Sequence, residues 1–100
     1  MNPLDVALIG CGRRMQRVYF PVLPKLGNWM RVVAVCDPHA ENRAAAAAHF
    51  GARAFDSLSA LLKARPMAAA LVAVPPTAHH AVSCLLSEHG VHHLVETPMC

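Results

Sequence analysis

Short, unbroken apolar runs alternate along this chain with longer stretches in which apolar residues recur every three or four positions. Val6–Ile9, the R-V-V-A-V-C-D run at Arg31–Asp37 and Ala68–Val74 are of the first kind. Runs without alternation suit strands buried on both faces of a parallel sheet. Ala52–Phe55 predicts a short edge strand and His92–Val95 a last one. Helices are expected between them. The first spans Arg13 to Leu26, with Met15, Val18, Tyr19, Val22, Leu23 and Leu26 on one face. Pro21 and Pro24 each remove a backbone donor, so that helix should kink or break near Phe20-Pro21. A second runs from His39 to Phe50 on the alanine run Ala44–Ala48, a strongly helix-favouring composition. A third, capped by Asp56 or Ser57, reaches Ala64 with Leu58, Leu61 and Leu62 inward and stops before Pro66. The fourth begins at a Thr77 cap and ends near His89. Gly27, Gly51 and Gly90 each follow a predicted helix, as helix-stopping glycines do.

Strand–helix alternation of this kind predicts an α/β fold: a doubly wound parallel sheet of about five strands, with helices on both faces and right-handed crossovers. Residues 1–100 make one domain, without internal repeat or linker. Apolar residues at 55% and charged residues at 15% point to a well-buried unit rather than a disordered one. The net charge of +3 comes from nine scattered Lys and Arg, of which only Arg13-Arg14 are adjacent. A nucleic-acid surface needs a basic stripe with stacking aromatics, and five dispersed aromatics do not make one. No apolar run is long enough to span a membrane. Cys11, Cys36, Cys84 and Cys100 lack Cys-x-x-Cys spacing and no secretion signal precedes them, so reduced thiols and a cytoplasmic location are expected.

Chemistry is concentrated in Leu4–Arg14, L-D-V-A-L-I-G-C-G-R-R. A buried strand ends there, turns on Gly10-Cys11-Gly12 and gives way to a predicted helix. Gly10 suits a turn with positive φ, and Gly12 allows a phosphate close to the backbone. Free N–H groups at the helix start would face that phosphate. Gly-x-Gly alone is equally the mark of a plain turn. The context a dinucleotide site requires is a strand before, a helix after and an acid about 20 residues on. Asp37 meets the last condition, ending the second strand 22 residues beyond Met15. Its carboxylate would accept from ribose hydroxyls and repel a 2′-phosphate, favouring NAD over NADP. As an alternative, Asp37 simply caps a helix. Met15 occupies the place of the usual third glycine and should re-aim the helix or push it off the strand. Arg13 and Arg14 either help neutralise a pyrophosphate or form a solvated pair. Cys11 is either a thiol activated by the helix start or a small spacer.

Taken together, V-A-L-I-G-C-G-R-R with Y-F-P-V-L-P, V-V-A-V-C-D-P, A-V-P-P-T-A-H and E-H-G-V-H-H-L-V-E-T-P resemble the nucleotide-binding domain of the Gfo/Idh/MocA (glucose–fructose oxidoreductase / inositol dehydrogenase) family. The resemblance runs over nearly the whole chain, with His79 standing 17 residues before Glu96. It implies a Rossmann domain for a nicotinamide dinucleotide, followed in family members by a larger substrate domain. It also implies cofactor roles for Gly10, Cys11, Gly12, Arg13, Arg14 and Asp37, with Ala73, Val74 and Pro75 lining the cleft. By the same resemblance His79 would lie near the ribose or nicotinamide and Glu96 close to the nicotinamide.

Thr97 stands where the family carries the lysine of its E-K-P motif, so no catalytic residue is assigned. Threonine does not titrate near neutral pH, and a positioned acid–base group is typically worth about 10²–10⁴-fold in rate. With no second domain in these 100 residues, the chain is expected to be a truncated unit that binds NAD(H) without turnover. A non-catalytic nucleotide-binding module and an interaction domain are the alternatives. The His92–Val95 strand, left as an edge, predicts self-association. The seven histidines do not suggest a metal site. His79 and His89 are ten residues apart, about 280° around a helix, and His92 and His93 face opposite ways on a strand.

Overall fold

The computed structural model describes residues 3–13 and 15–95. Five strands, β1 (Leu4–Ile9), β2 (Met30–Cys36), β3 (Arg53–Phe55), β4 (Ala69–Val72) and β5 (His92–Val95), form one parallel sheet in the order β3-β2-β1-β4-β5. Three α-helices connect them: α1 (Ala40–Phe50), α2 (Leu58–Ala64) and α3 (Pro76–Glu88). From β1 the chain winds outward to β2 and β3, then crosses back to β4 and β5. The carboxyl ends of β1 and β4 therefore diverge at the centre of the sheet, where crevices open in such folds.

Each sheet face carries its own core. On one, Ala7, Ile9, Ala34 and Val72 meet Leu61, Leu62 and Leu86 of α2 and α3. On the other, Val6, Leu8, Val35 and Leu71 meet Met15, Phe20, Leu23 and Ala46. Both faces of β1 are thus covered, which is why its inner residues show no alternation. Burying a side chain such as Leu8, Leu61 or Leu86 completely contributes roughly 1.5–3 kcal/mol. The three-layer arrangement is the one expected.

The segment after β1 breaks at Phe20-Pro21 as expected, but its two pieces are not α-helical. In place of a long helix over Arg13–Leu26, the chain makes a π-helical turn at Met15–Tyr19 and a 3-10 turn at Leu23–Leu26. Phe20 N–H bonds back to Met15 C=O at 3.0 Å, and Pro21 has no N–H with which to continue the series. Pro24 likewise offers none, and the Phe20 carbonyl instead meets His49 Nε2 of α1 at 3.0 Å. The His49 ring stacks on Phe20 with centroids 4.7 Å apart. Because the helical phase is lost, Val18 and Val22 are exposed, whereas Met15, Phe20 and Leu23 are buried.

One smaller correction concerns a cap. Ser57 caps α2 as expected, its Oγ accepting from Ala60 N–H at 3.2 Å. Thr77 does not cap α3, which starts one residue earlier behind Pro75 without any side-chain cap. Proline at the first helical position removes a donor that would otherwise need one. At the far edge of the described sheet, β5 leaves Leu94 exposed.

Candidate functional site

The two glycines of the first turn do different work. Gly10 has φ +89°, and its N–H donates to Cys36 C=O at 2.8 Å, tying the exits of β1 and β2 together. A Cβ on Gly10 would lie 2.3 Å from the Ala73 carbonyl oxygen and 3.0 Å from Val74 Cγ1. Close approach of β1 and β4 at their carboxyl ends therefore requires glycine at this position. Gly12 has no such constraint: its φ is not positive, and a Cβ there would meet no protein atom within 4 Å. Among the described residues its N–H has no partner. Nothing among the described residues requires Gly12 to lack a side chain.

Asp37 closes the turn from the β2 side. It is the one buried charged residue among those described, at 5% exposure. Oδ2 accepts from Cys11 N–H at 2.7 Å and Oδ1 from His39 N–H at 2.8 Å. Asp37 does not cap α1, whose N-cap is His39 without a side-chain cap bond; its bond to the His39 N–H is a local turn two residues on, while the bond to Cys11 links two segments 26 residues apart. A carboxylate offers about four acceptor positions, so about two remain for another donor. Arg43 of α1 donates to the Asp37 and Pro38 carbonyls at 3.0 and 3.4 Å, holding the same corner from outside.

Beside this turn lies a cleft of about 720 Å³ at the carboxyl ends of β1 to β4. Gly10, Gly12, Arg13, Asp37, Val74 and Pro75 line it, as does Ala73. Cys11 sits beneath the turn, fully buried, with its amide committed to Asp37. His79 is half-buried on α3 and is not part of the cleft wall. Arg14, Glu96 and Thr97 lie outside the described residues. Sequence reasoning missed Asn42, Asp56, Ser57 and Leu58, which also line the cleft. The available signal was positional: Asp56 and Ser57 directly follow a strand whose parallel neighbours all end at the same rim. Met15, read only as a packing departure, also reaches the cleft.

Burial pushes the Cys11 thiol up to about 12, with the nearby Asp37 charge adding to the effect. Cys36 is raised to about 11, again chiefly by burial. Both thiols stay protonated at neutral pH, so Cys11 is a spacer and not an activated nucleophile. No cluster of three metal-ligating side chains occurs among the described residues, and none of their helices is long and apolar enough to cross a membrane.

A family model described as GFO_IDH_MocA, oxidoreductase family, NAD-binding Rossmann fold, matches residues 4–100. Among solved structures, the WlbA dehydrogenase of Chromobacterium violaceum, in complex with NADH and UDP-GlcNAcA, is 30% identical with a TM-score of 0.90. That match covers 100% of this chain and 29% of the other. The WlbA dehydrogenase of Bordetella pertussis, with the same two ligands, is 31% identical with a TM-score of 0.89, over 98% of this chain and 30% of that one. A variant of KijD10, a 3-ketoreductase from Actinomadura kijaniata in complex with TDP-benzene and NADP, is 26% identical with a TM-score of 0.86, over 97% and 31%. The chain thus spans less than a third of the length of these relatives. A search of curated proteins finds no match.

Proposed function

The chain belongs to the Gfo/Idh/MocA oxidoreductase family, and from that premise we propose that it is the cofactor-holding part of an NAD-dependent dehydrogenase or reductase acting on a sugar- or polyol-type substrate. Its fold is the family's NAD-binding Rossmann fold. The observation that carries the reading is the pairing of Gly12 and Asp37 on one cleft. Among the described residues, Gly12 offers an unpaired N–H and space that no atom fills. Asp37 offers a buried carboxylate with acceptor capacity to spare. These two groups fit the pyrophosphate and the adenosine ribose of a dinucleotide.

Gly12 and Arg13 would meet the pyrophosphate, with the Arg13 side chain, exposed beside the cleft, supplying positive charge. The π-helical turn is only five residues long. Its macrodipole is correspondingly small, so the loop amides themselves supply the attraction. Asp37 would accept from the ribose hydroxyls and repel a 2′-phosphate, giving preference for NAD over NADP. Ala73, Val74 and Pro75 form an apolar wall on the β4 side that keeps water from one flank of the ligand. A bound nicotinamide would supply hydride transfer in the whole enzyme, and the residues described here would hold the dinucleotide by its pyrophosphate and adenosine ribose. His79, Arg14 and Glu96 are proposed to join the site on the strength of the family resemblance.

These 100 residues by themselves are proposed to bind the dinucleotide without turnover. A non-catalytic binding module is the second reading, favoured by Thr97 at the family's lysine position. Titration calorimetry with NADH and NADPH tests the first reading: NADH should bind, and NADPH at least about tenfold more weakly, a difference of about 1.4 kcal/mol. If neither associates with folded protein, the proposal falls. NADH formation from any sugar or polyol would refute the absence of turnover.

A further inference from the structure

The peptide between Cys11 and Gly12 is held by a side chain that has no place in the cleft wall. Gln16, in the π-helical turn, donates from Nε2 to Cys11 C=O at 3.0 Å. Its own N–H donates to Gly12 C=O, also at 3.0 Å. All described peptide bonds are trans, and in a trans peptide the C=O and the following N–H point in opposite directions. Tethering the Cys11 carbonyl to Gln16 therefore turns the Gly12 N–H away from Gln16. Gly12 borders the cleft and Gln16 does not, so an N–H turned from Gln16 and unpaired among the described residues is available on the cleft side. The preceding peptide is fixed as well, because Asp37 Oδ2 holds Cys11 N–H at 2.7 Å. Two successive peptide planes are thus locked in the free protein, one by a carboxylate and one by an amide.

We propose that Gln16 is a positioning residue for the dinucleotide's pyrophosphate, fixing the Cys11–Gly12 peptide so that the Gly12 N–H faces the phosphate before the ligand arrives. The inference rests on the dinucleotide reading above and assigns a task to a residue outside the glycine motif. Without the amide donor the Cys11 carbonyl loses its partner, and the peptide is free to rotate. A rotated peptide would present its oxygen to a phosphate oxygen, turning an attraction into a repulsion. Binding energy spent on reorienting the peptide is lost from affinity.

Gln16→Met keeps the length of the side chain and removes the donor; Gln16→Glu keeps its shape and also lacks one when ionised. Affinity for NADH and for adenosine, which has no phosphate, is measured for both variants alongside thermal midpoints. The expected result is about a tenfold rise in Kd for NADH, the loss of one charge-assisted hydrogen bond. Affinity for adenosine should stay within about twofold, with the midpoint unmoved. An equal loss for both ligands, or an unchanged NADH affinity, overturns the proposal. Nuclear magnetic resonance of the free protein separates this from the broader reading. The Gly12 amide and Cys11 carbonyl signals should shift in both variants while those of β4 stay in place. Failure of those signals to move refutes the Gln16 role whether or not the wild-type protein binds NADH, and absence of wild-type binding refutes the dinucleotide reading.

Discussion

Adding one methyl group at either glycine of the first turn should give opposite results. In Gly10→Ala the new Cβ lies 2.3 Å from Ala73 O and 2.7 Å from Ala73 C, both backbone atoms of the β4 exit, at φ +89°. Left-handed backbone at a non-glycine residue costs roughly 1–2 kcal/mol. Forcing the exits of β1 and β4 apart adds roughly 1–3 kcal/mol, the usual range for overpacking. The sum, about 2–5 kcal/mol, is a large part of the 5–15 kcal/mol typical of a small domain. For about 100 residues it should lower the thermal midpoint by at least about 10 °C. Gly12→Ala meets no atom within 4 Å and needs no positive φ. Its folded state should be as stable as the wild type, or up to about 1 kcal/mol more so, because alanine restricts the unfolded chain. The same methyl group takes up the space proposed for phosphate, so NADH affinity should drop by about tenfold or more. Scanning calorimetry and NADH titration on both variants decide the matter. A stable Gly10→Ala protein, or a Gly12→Ala protein that binds NADH as the wild type does, would refute the reasoning.

Asp37→Ala should narrow the preference for NADH over NADPH. It should also cost stability, chiefly because the buried Cys11 N–H loses its acceptor, at roughly 1–3 kcal/mol for a buried donor left unpaired, whereas the exposed His39 N–H can turn to water; paired titrations and urea melts measure the two effects. The contribution of the two buried thiols to stability should be constant below pH 9 and be lost above it. The unfolded Cys11 and Cys36 thiols ionise near 9.0 while the folded ones hold their protons to about 12 and 11. The slope should approach about 1.4 kcal/mol per pH unit per thiol, and Cys11→Ser or Cys36→Ser should reduce it in urea melts across that range. Leu94, 68% exposed on the edge strand β5, offers an apolar pairing edge. Residues 1–100 should therefore self-associate at high concentration by light scattering, and Leu94→Lys should suppress this by placing charge on the edge.

Much of this fold is legible in the chain because burial on both faces writes itself into sequence. Arg31–Asp37 and Ala68–Val74 can be uninterrupted apolar runs only if helices cover both sides, and Ala44–Ala48 and Ser57 mark helices by local propensity alone. Asp37 is recognisable from its distance beyond the glycine turn. In the segment after β1 the prolines marked the break near Phe20-Pro21, but the apolar spacing of Met15, Val18 and Val22 wrongly suggested one helical face. Two missing proline donors outweighed that spacing, and the carbonyl of Phe20 found its partner on α1.

What the amino-acid order determined alone is the succession of strands and helices, the glycine turn and the acid that follows it, since each depends on residues close in sequence. Tertiary structure decided which glycine serves the fold and which leaves room for a ligand. That difference is set by Ala73, 63 residues from Gly10 along the chain yet in van der Waals reach of it. It also decided that Cys11 is buried and inert, that Asp37 and Gln16 hold successive peptides of the turn, and that Asp56 and Ser57 line the same cleft. The strand order β3-β2-β1-β4-β5 brings these groups together at one rim, because parallel strands end on the same side however far apart they lie in the chain.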